Sequence, residues 1–474
     1  MDIILKTDKK LIVYFVISLT GTAIGMVLSG SPWIGLIFIS ALGLLLFLFN
    51  KPVWGIGLIL VLTSGFVDEE RLPVLNAGFG NFHIVDLLLI FLLFLIPVKI
   101  LLKRIKKLNP TPVNWPLLTF YGTAFLSLIL AVTCFGVSSK NALSEFRIIT
   151  FYFVFFLTTH FLRCRKDVVG LVKGCFWLTS LVALMMILQS VLGTSLEILP
   201  ARVENLVTAG SEQESVIRVI TPGTPFILVM AICGISIYGL TEFKMRQFVL
   251  IFQIGLLITG IVLAYNRNFW VGIILTLIIL LALSPSVTKI KLIPVSLLVA
   301  ALGSILILAT LINGGRMQEY LVSTTDRFAS LFAGEDLWNR DTLQDRFFEN
   351  DFAYEKIKSN PAFGIGLGNA YRPFEEWNPK INRYIHNGYL WILMKTGFVG
   401  FIPFLAFILL ALIRGYRNWR KVDDDFLKGT ALGFTLALTA LMLTALVSPV
   451  FMQWQTTPVI GLMIGCNEVI FQIG

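Results

Sequence analysis

Long apolar runs alternate with short polar breaks along nearly the whole chain. A membrane-spanning helix needs about 20 predominantly apolar residues. By that rule, spans are expected near 11–29, 32–49, 52–67, 84–102, 115–134, 146–162, 168–192, 219–240, 248–265, 269–284, 293–313, 388–412, 430–448 and 456–472. Two of these, 52–67 and 269–284, are short, and the first two runs lie close together, so the expected number is twelve to fourteen. The run from Leu11 to Ser29 follows Lys6, Lys9 and Lys10 and resembles the front of a signal peptide. It is too long for that and lacks a small-residue cleavage site, so it reads as a retained first helix. No fixed-period repeat, low-complexity tract or second soluble domain interrupts the pattern. The fold class expected is an all-α polytopic membrane protein, with residues 1–474 as a single integral membrane domain.

The polar breaks orient this pattern. With the N-terminus inside, the inner loops are Asn50–Lys51, "KRIKK" at 103–107, "RCRK" at 163–166, "EFKMRQ" at 242–247, "KIK" at 289–291 and "RGYRNWRK" at 414–421. All carry Lys or Arg. The short outer turns at 30–31, 135–145 and 449–455 carry almost none, which is the asymmetry of the positive-inside rule. Three long segments are then external: 68–83, 193–218 and 314–387. The last is a large loop before the twelfth candidate span. Within it, "DLWNRDTLQDRFFENDFAYEKIKSNP" places Leu343, Phe347, Phe348, Phe352 and Ile357 at helical spacing before Pro361. This predicts an amphipathic helix at the membrane interface or over the bundle.

Composition supports the reading. The chain is 56% hydrophobic and 14% charged, with mean hydropathy +0.83. Soluble domains carry about 25% charged residues. The net charge of +10 could suggest nucleic acid, but the basic residues collect in the inner loops, so no nucleic-acid partner is expected. Five cysteines are scattered and odd in number, which points to neither a disulfide framework nor a metal site.

Charged side chains in apolar spans are costly, so their positions are informative. Lys99 and Lys173 sit near inner span ends and can snorkel. His160 precedes "RCRK" and reads as an interfacial residue. Lys395 falls well inside its span, where it could line a cavity. The outer rim is different. Arg147 opens the sixth span, Arg218 the eighth and His386 the twelfth, while Arg267 sits in the tight turn "AYNRNFWVG". Any one of these arginines alone reads as a headgroup anchor. Together they read as a pyrophosphate site, because guanidinium forks suit phosphate oxygens. An imidazole among them suits a general base, since it can take a hydroxyl proton at neutral pH.

Other signals are weaker. "GIGLGNA" at 364–370 looks like a nucleotide loop but opens no βαβ unit, so it reads as a tight loop. "VDDDF" at 422–426 looks like a metal-holding acidic cluster, yet it falls on the inner side and reads as a solvated charge run. His83 and Asp86 could pair on one helix face.

Several of these stretches resemble the O-antigen ligase/polymerase family. "HNGYLWILMKTGFVGF" is similar to its histidine-led span, "NRNFWVGIIL" to its arginine-bearing outer turn, "IRVITPGTPF" to its second arginine segment, and "NPAFGIGLGNAY" to the loop before the histidine. The resemblance is strongest over 200–412. It implies a GT-C-like, inverting, metal-independent glycosyltransferase of the bacterial inner membrane, with its active site facing the periplasm and no cofactor. The implied donor is an undecaprenyl-pyrophosphate-linked oligosaccharide, and the implied acceptor is a second glycan or lipid A-core. On that mapping Arg218 and Arg267 bind the pyrophosphate and His386 activates the acceptor hydroxyl, while Arg147 matches by position only. A polymerase is the first expectation, because family members in exopolysaccharide clusters are many and varied, and a ligase is the alternative. A polysaccharide or lipid transporter is the reading of another class. A peptidoglycan-type polymerase would need an outer carboxylate, for which Asp326, Asp341 and Asp345 are the candidates.

Overall fold

The computed structural model describes residues 20–21, 24–25, 32–68, 71–78, 80–104, 109–193, 197–206, 216–241, 247–284, 341–373 and 382–473. The expected spans at 11–29 and 293–313 lie largely or wholly outside these residues, as do 314–340 of the large loop. The chain divides into two compact units, residues 1–55 and 56–474. In the first, helix α1 (Pro32–Asn50) ends where Asn50 Nδ2 donates to the Leu46 carbonyl at 3.0 Å. A second helix, α2 (Pro52–Thr63), then starts at a proline, whose missing N–H costs nothing in a first turn.

The second unit is a helical bundle. Its helices are α3 (Ile84–Leu101), α4 (Asn114–Thr133), α5 (Ser139–Thr150), α6 (Val154–Phe161), α7 (Arg165–Leu192), α8 (Thr224–Leu240), α9 (Gln247–Leu263), α10 (Arg267–Leu283), α11 (Asp341–Ser359), α12 (Gly388–Asn418), α13 (Asp425–Thr444) and α14 (Thr457–Ile473). Two short antiparallel hairpins, β1 (Val74–Asn76) with β2 (Asn81–His83) and β3 (Arg202–Leu206) with β4 (Val216–Ile220), correct the all-α expectation. Both lie in the segments expected to be external loops.

Among the described residues six helical stretches are long and apolar enough to span a membrane: Ile84–Leu101, Asn114–Thr133, Ser139–Phe161, Arg165–Leu192, Gly388–Lys421 and Asp425–Thr444. The pair Ile39–Asn50 and Pro52–Thr63 would make a seventh if it counts as one broken span. Four shorter apolar helices, α8, α9, α10 and α14, fall where further spans were expected.

Helix α8 shows why apolarity alone does not orient a helix here. Every residue from Thr224 to Gly239 is buried, so it has no lipid-facing side. It packs chiefly on α13. In lipid there is no hydrophobic gain from helix pairing, so close van der Waals approach must hold the pair. Gly429 and Gly433, one turn apart on α13, allow it: a Cβ at either would come within 2.6 Å of the α8 backbone. The pair α14 and α6 is close in the same way at Gly465. By contrast α4, α7 and α9 expose Phe125, Leu188 and Phe252, as lipid-facing helices do.

Basic breaks meet at one end of the bundle. There Arg163 donates to the Arg104 carbonyl at 3.1 Å, and Arg165 Nε meets Asp424 Oδ2 at 2.7 Å. His160 is buried at this end, accepting from Asn109 N at 3.1 Å and meeting the Phe156 carbonyl at 2.7 Å. Asp424 also caps α13 by accepting from Leu427 N, so one residue of the "VDDDF" run has an architectural duty.

Helix α12 is broken inside at Gly397, with φ 64° and ψ −172°. That region belongs to glycine, and a side chain there costs about 1–3 kcal/mol. A break leaves backbone groups unsatisfied, which apolar surroundings punish. The loop 360–371 satisfies them. Phe398 N and Val399 N donate to the Pro361 and Ala362 carbonyls at 2.9 and 3.1 Å. In return Ile365 N and Gly366 N donate to the Met394 and Lys395 carbonyls at 2.9 and 3.1 Å. The "GIGLGNA" glycines therefore build a tight loop, as the sequence suggested, and it plugs a helix break. Replacing Gly397 by alanine adds a Cβ 2.2 Å from the Ala362 carbonyl oxygen. We expect Gly397→Ala to lower stability by about 2 kcal/mol or more. Gly122→Ala, with nothing near its Cβ in mid-α4, should be neutral or stabilising. Thermal unfolding of the two variants in one detergent checks this.

Candidate functional site

The end of the bundle opposite the basic breaks carries the residues singled out from the sequence. His386 lies just before α12. Asn387 caps that helix, its Oδ1 accepting from Tyr389 N and Leu390 N at 3.0 and 3.1 Å. Gly388 N then donates to the Ala445 carbonyl at 2.8 Å, pinning the helix start to the end of α13. The "HNG" triplet thus sets an imidazole at a doubly fixed helix start.

Glu349 holds the imidazole itself. Its Oε2 lies 2.9 Å from His386 Nδ1 and accepts from His386 N at 3.1 Å. Its Oε1 lies 3.9 Å from Arg372 Nη2. The Glu349 side chain is 4% exposed and the His386 side chain 38%, so a buried carboxylate orients a reachable ring. The ring of Tyr384 meets that of His386 edge-on at 5.0 Å.

Glu349 sits on α11, where an amphipathic helix was expected. Glu349, Ala353 and Ile357, spaced by four, point into the protein, whereas Phe347 and Phe348 are 47% and 58% exposed. A carboxylate, paired inward, thus shares the buried stripe with Ile357 of the apolar set. The spacing of Glu349 from Ala353 and Ile357 was the available signal, but nothing in it marks a partner 37 residues away.

Arg218 is not at a helix start. It lies on β4, cross-strand from Glu204. Its Nη1 is 3.5 Å from Glu204 Oε2, and its Nε donates to the Ala264 carbonyl at 3.0 Å. Ala264 immediately precedes the turn Tyr265–Asn266 into α10, which Arg267 opens. The buried Tyr265 takes a positive φ of 47° to make that turn. The structure therefore brings the Arg218 and Arg267 segments together, as the sequence suggested.

The two clusters share an electrostatic environment. Partial burial, then the Glu349 carboxylate, push the Tyr384 phenol up to about 12, while Arg346 and Arg202 pull the other way. Arg202 flanks Glu204 on β3 and is paired with it, so the charge of the Arg218 hairpin is felt at Tyr384. Burial pulls the Arg346 guanidinium below its ordinary range, with Glu349 opposing. Arg202, Glu204, Arg346, Glu349 and Arg372 were not singled out from the sequence.

Arg147 is placed differently. It lies in the last turn of α5 and its Nε bonds both Asp86 oxygens at 2.7 and 2.8 Å. Its guanidinium also covers the Trp454 ring at 5.0 Å. Asp86 additionally accepts from His83 N at 2.8 Å, so the His83–Asp86 contact runs through backbone. Of the three alternative carboxylates, Asp341 and Asp345 fall on α11 and Asp326 lies outside the described residues. Among the described residues no group of three or more His, Cys, Asp or Glu side chains gathers.

Residues 252–405 match the family model described as O-antigen ligase. The stretch takes in Arg267, Glu349, Lys395 and His386, and ends within α12. It bears out the resemblance read from the motifs. No curated protein matches the chain.

Removing Asp86 would strand a guanidinium whose side chain is 18% exposed. Breaking one side of a buried pair costs about 3–5 kcal/mol. We expect Asp86→Ala to lower the melting temperature sharply and an Asp86→Leu, Arg147→Met double variant to recover much of it. Thermal scans of both decide the matter.

Proposed function

We propose that the chain is a multi-span, GT-C-like glycosyltransferase of the bacterial inner membrane, with twelve to fourteen spans and its site on the periplasmic side. Its donor is a glycan on undecaprenyl pyrophosphate. The observation that carries the reading is the placement of His386, on a buried Glu349, in the same electrostatic environment as the Arg218 hairpin, whose arginine ties to the Arg267 turn. The positive-inside pattern supports the orientation, since the basic breaks gather at the other end.

The reaction is a displacement. His386 Nε2 takes the proton of an acceptor hydroxyl, and that oxygen attacks the anomeric carbon. The new C–O bond forms as the bond to the pyrophosphate oxygen breaks, and the lipid pyrophosphate leaves with the electron pair. Arg218 and Arg267 stabilise the charge that develops on the leaving group. Attack opposite the leaving group inverts the anomeric centre. Arg147, already bound to Asp86, is assigned a supporting place at the rim of this site. The acceptor is a second lipid-linked glycan, which makes the protein an O-antigen or exopolysaccharide polymerase. The second reading is a ligase that delivers the chain to lipid A-core, and the match to an O-antigen ligase family model fits either acceptor.

Purified protein in liposomes, given lipid-linked repeat units alone, should produce a ladder of products on a gel. His386→Ala should reduce transfer on the order of 10²–10⁴-fold without loss of folding, and Arg218→Ala or Arg267→Ala should weaken it too. A chelator should leave the ladder intact. Wild-type transfer in His386→Ala would remove the base role. Product only when lipid A-core is added would select the ligase. No product with either acceptor would favour transport.

A further inference from the structure

We propose that Glu349 is a positioning residue that holds His386 in the tautomer protonated on Nδ1, so that Nε2 is the nitrogen offered to the acceptor hydroxyl. The inference rests on the glycosyl-transfer reading of His386 and goes beyond it, because it assigns a role on α11 that no motif carries. One carboxylate oxygen, Glu349 Oε2, faces two nitrogens of the same residue, His386 N at 3.1 Å and Nδ1 at 2.9 Å. A backbone N–H can only donate. An ionised carboxylate can only accept, so the ring nitrogen beside it must carry a proton. The other ring nitrogen is then left with its lone pair.

The carboxylate is well fixed for this task. Glu349 is 3% exposed and lies on the buried stripe with Ala353 and Ile357, at 0% and 9%. Burying a carboxylate is costly unless it is paired and hydrogen-bonded. Arg372, 3.9 Å from its other oxygen, supplies the opposite charge, His386 supplies the hydrogen bonds, and the charge of Arg346, one turn back on α11, adds to the field. The His386 side chain remains 38% exposed. When Nε2 takes the hydroxyl proton, the imidazolium forms beside a negative charge that is already in place, so no group has to move to stabilise it.

The test uses the full chain in lipid vesicles, labelled with nitrogen-15 histidine. The sequence has only three histidines, so a His386→Ala sample identifies the signal. At the pH of fastest transfer, wild-type His386 should show a protonated Nδ1 and a bare Nε2. Glu349→Ala should move the proton to Nε2 and lower kcat on the order of 10²-fold, with the KM for the lipid-linked donor little changed. Glu349→Gln keeps the shape and an acceptor oxygen. It should keep the tautomer and lose part of kcat through the missing charge. A wild-type His386 protonated on Nε2, or on both nitrogens, would overturn the proposal, and that measurement needs no Glu349 variant to fold. A Glu349→Ala protein with unchanged tautomer and kcat would overturn it as well. The two readings fail separately: a dead His386→Ala protein with the wrong wild-type tautomer sinks only the role of Glu349. An active His386→Ala protein with the expected tautomer sinks the catalytic reading of the histidine.

Discussion

A lysine ammonium with no solvent exposure sits inside the bundle, and the geometry of the functional end depends on how it is held. Lys395 Nζ meets Glu145 Oε1 at 3.0 Å and the Asn369 carbonyl at 2.6 Å, over the face of Trp391. The other oxygen of Glu145 accepts from Gly368 N at 2.6 Å. One ion pair therefore joins α5, α12 and the glycine loop. An uncompensated charge at this depth would be prohibitive, so Glu145 keeps the lysine paired, while the loop adds a carbonyl to the lysine and an N–H to the glutamate. The loop in turn fills the break at Gly397. From there Tyr371 N donates to the Asn382 carbonyl and the Tyr371 hydroxyl to the Tyr384 carbonyl, both at 2.9 Å. Those bonds fix the strand of chain that ends at His386. The imidazole is thus placed from below by a buried lysine and from the side by a buried glutamate.

Carboxylates sort the cations at this end into different tasks. Both Asp86 oxygens share the Nε of Arg147, at 2.7 and 2.8 Å. Glu204 is shared between Arg202 and Arg218, and the second also reaches a backbone carbonyl. Glu349 is shared among His386, Arg372 and Arg346. Sharing leaves guanidinium donors directed by protein contacts without one carboxylate claiming a whole fork. That is a sensible preparation for an anionic ligand, since preorganised donors need little rearrangement when charge arrives. The same sorting occurs at the basic end, where Arg414 grips Glu468 at 2.6 and 2.8 Å and ties α12 to α14.

Much of this was legible beforehand. The apolar runs located the helices of the bundle, although α5 begins at Ser139, inside the turn expected at 135–145, and α12 runs on to Asn418; the 341–359 helix was visible from its spacing and the proline after it. The Arg218 and Arg267 segments were paired correctly. Other features were hidden, each for a local reason. The hairpin at 202–220 was missed because Arg218 adjoins an apolar run and looked like a helix start. Glu349 on α11 carries no local mark of its partner. Lys395 was noticed as anomalous, but its partner Glu145 lies 250 residues away in sequence.

Taken alone, the sequence determined the membrane character, the order of helices, and the separation of the basic breaks from the arginines and histidine at the opposite end. These follow from composition and period, which act within a helix or a loop. Tertiary structure alone decided which carboxylate neutralises which cation. Glu349 orients His386, Glu145 holds Lys395 and Asp86 takes Arg147, and none of these choices is encoded in local spacing. The reason is physical. A charge removed from water must find its opposite within a few ångströms, and only the folded chain determines what lies within that distance.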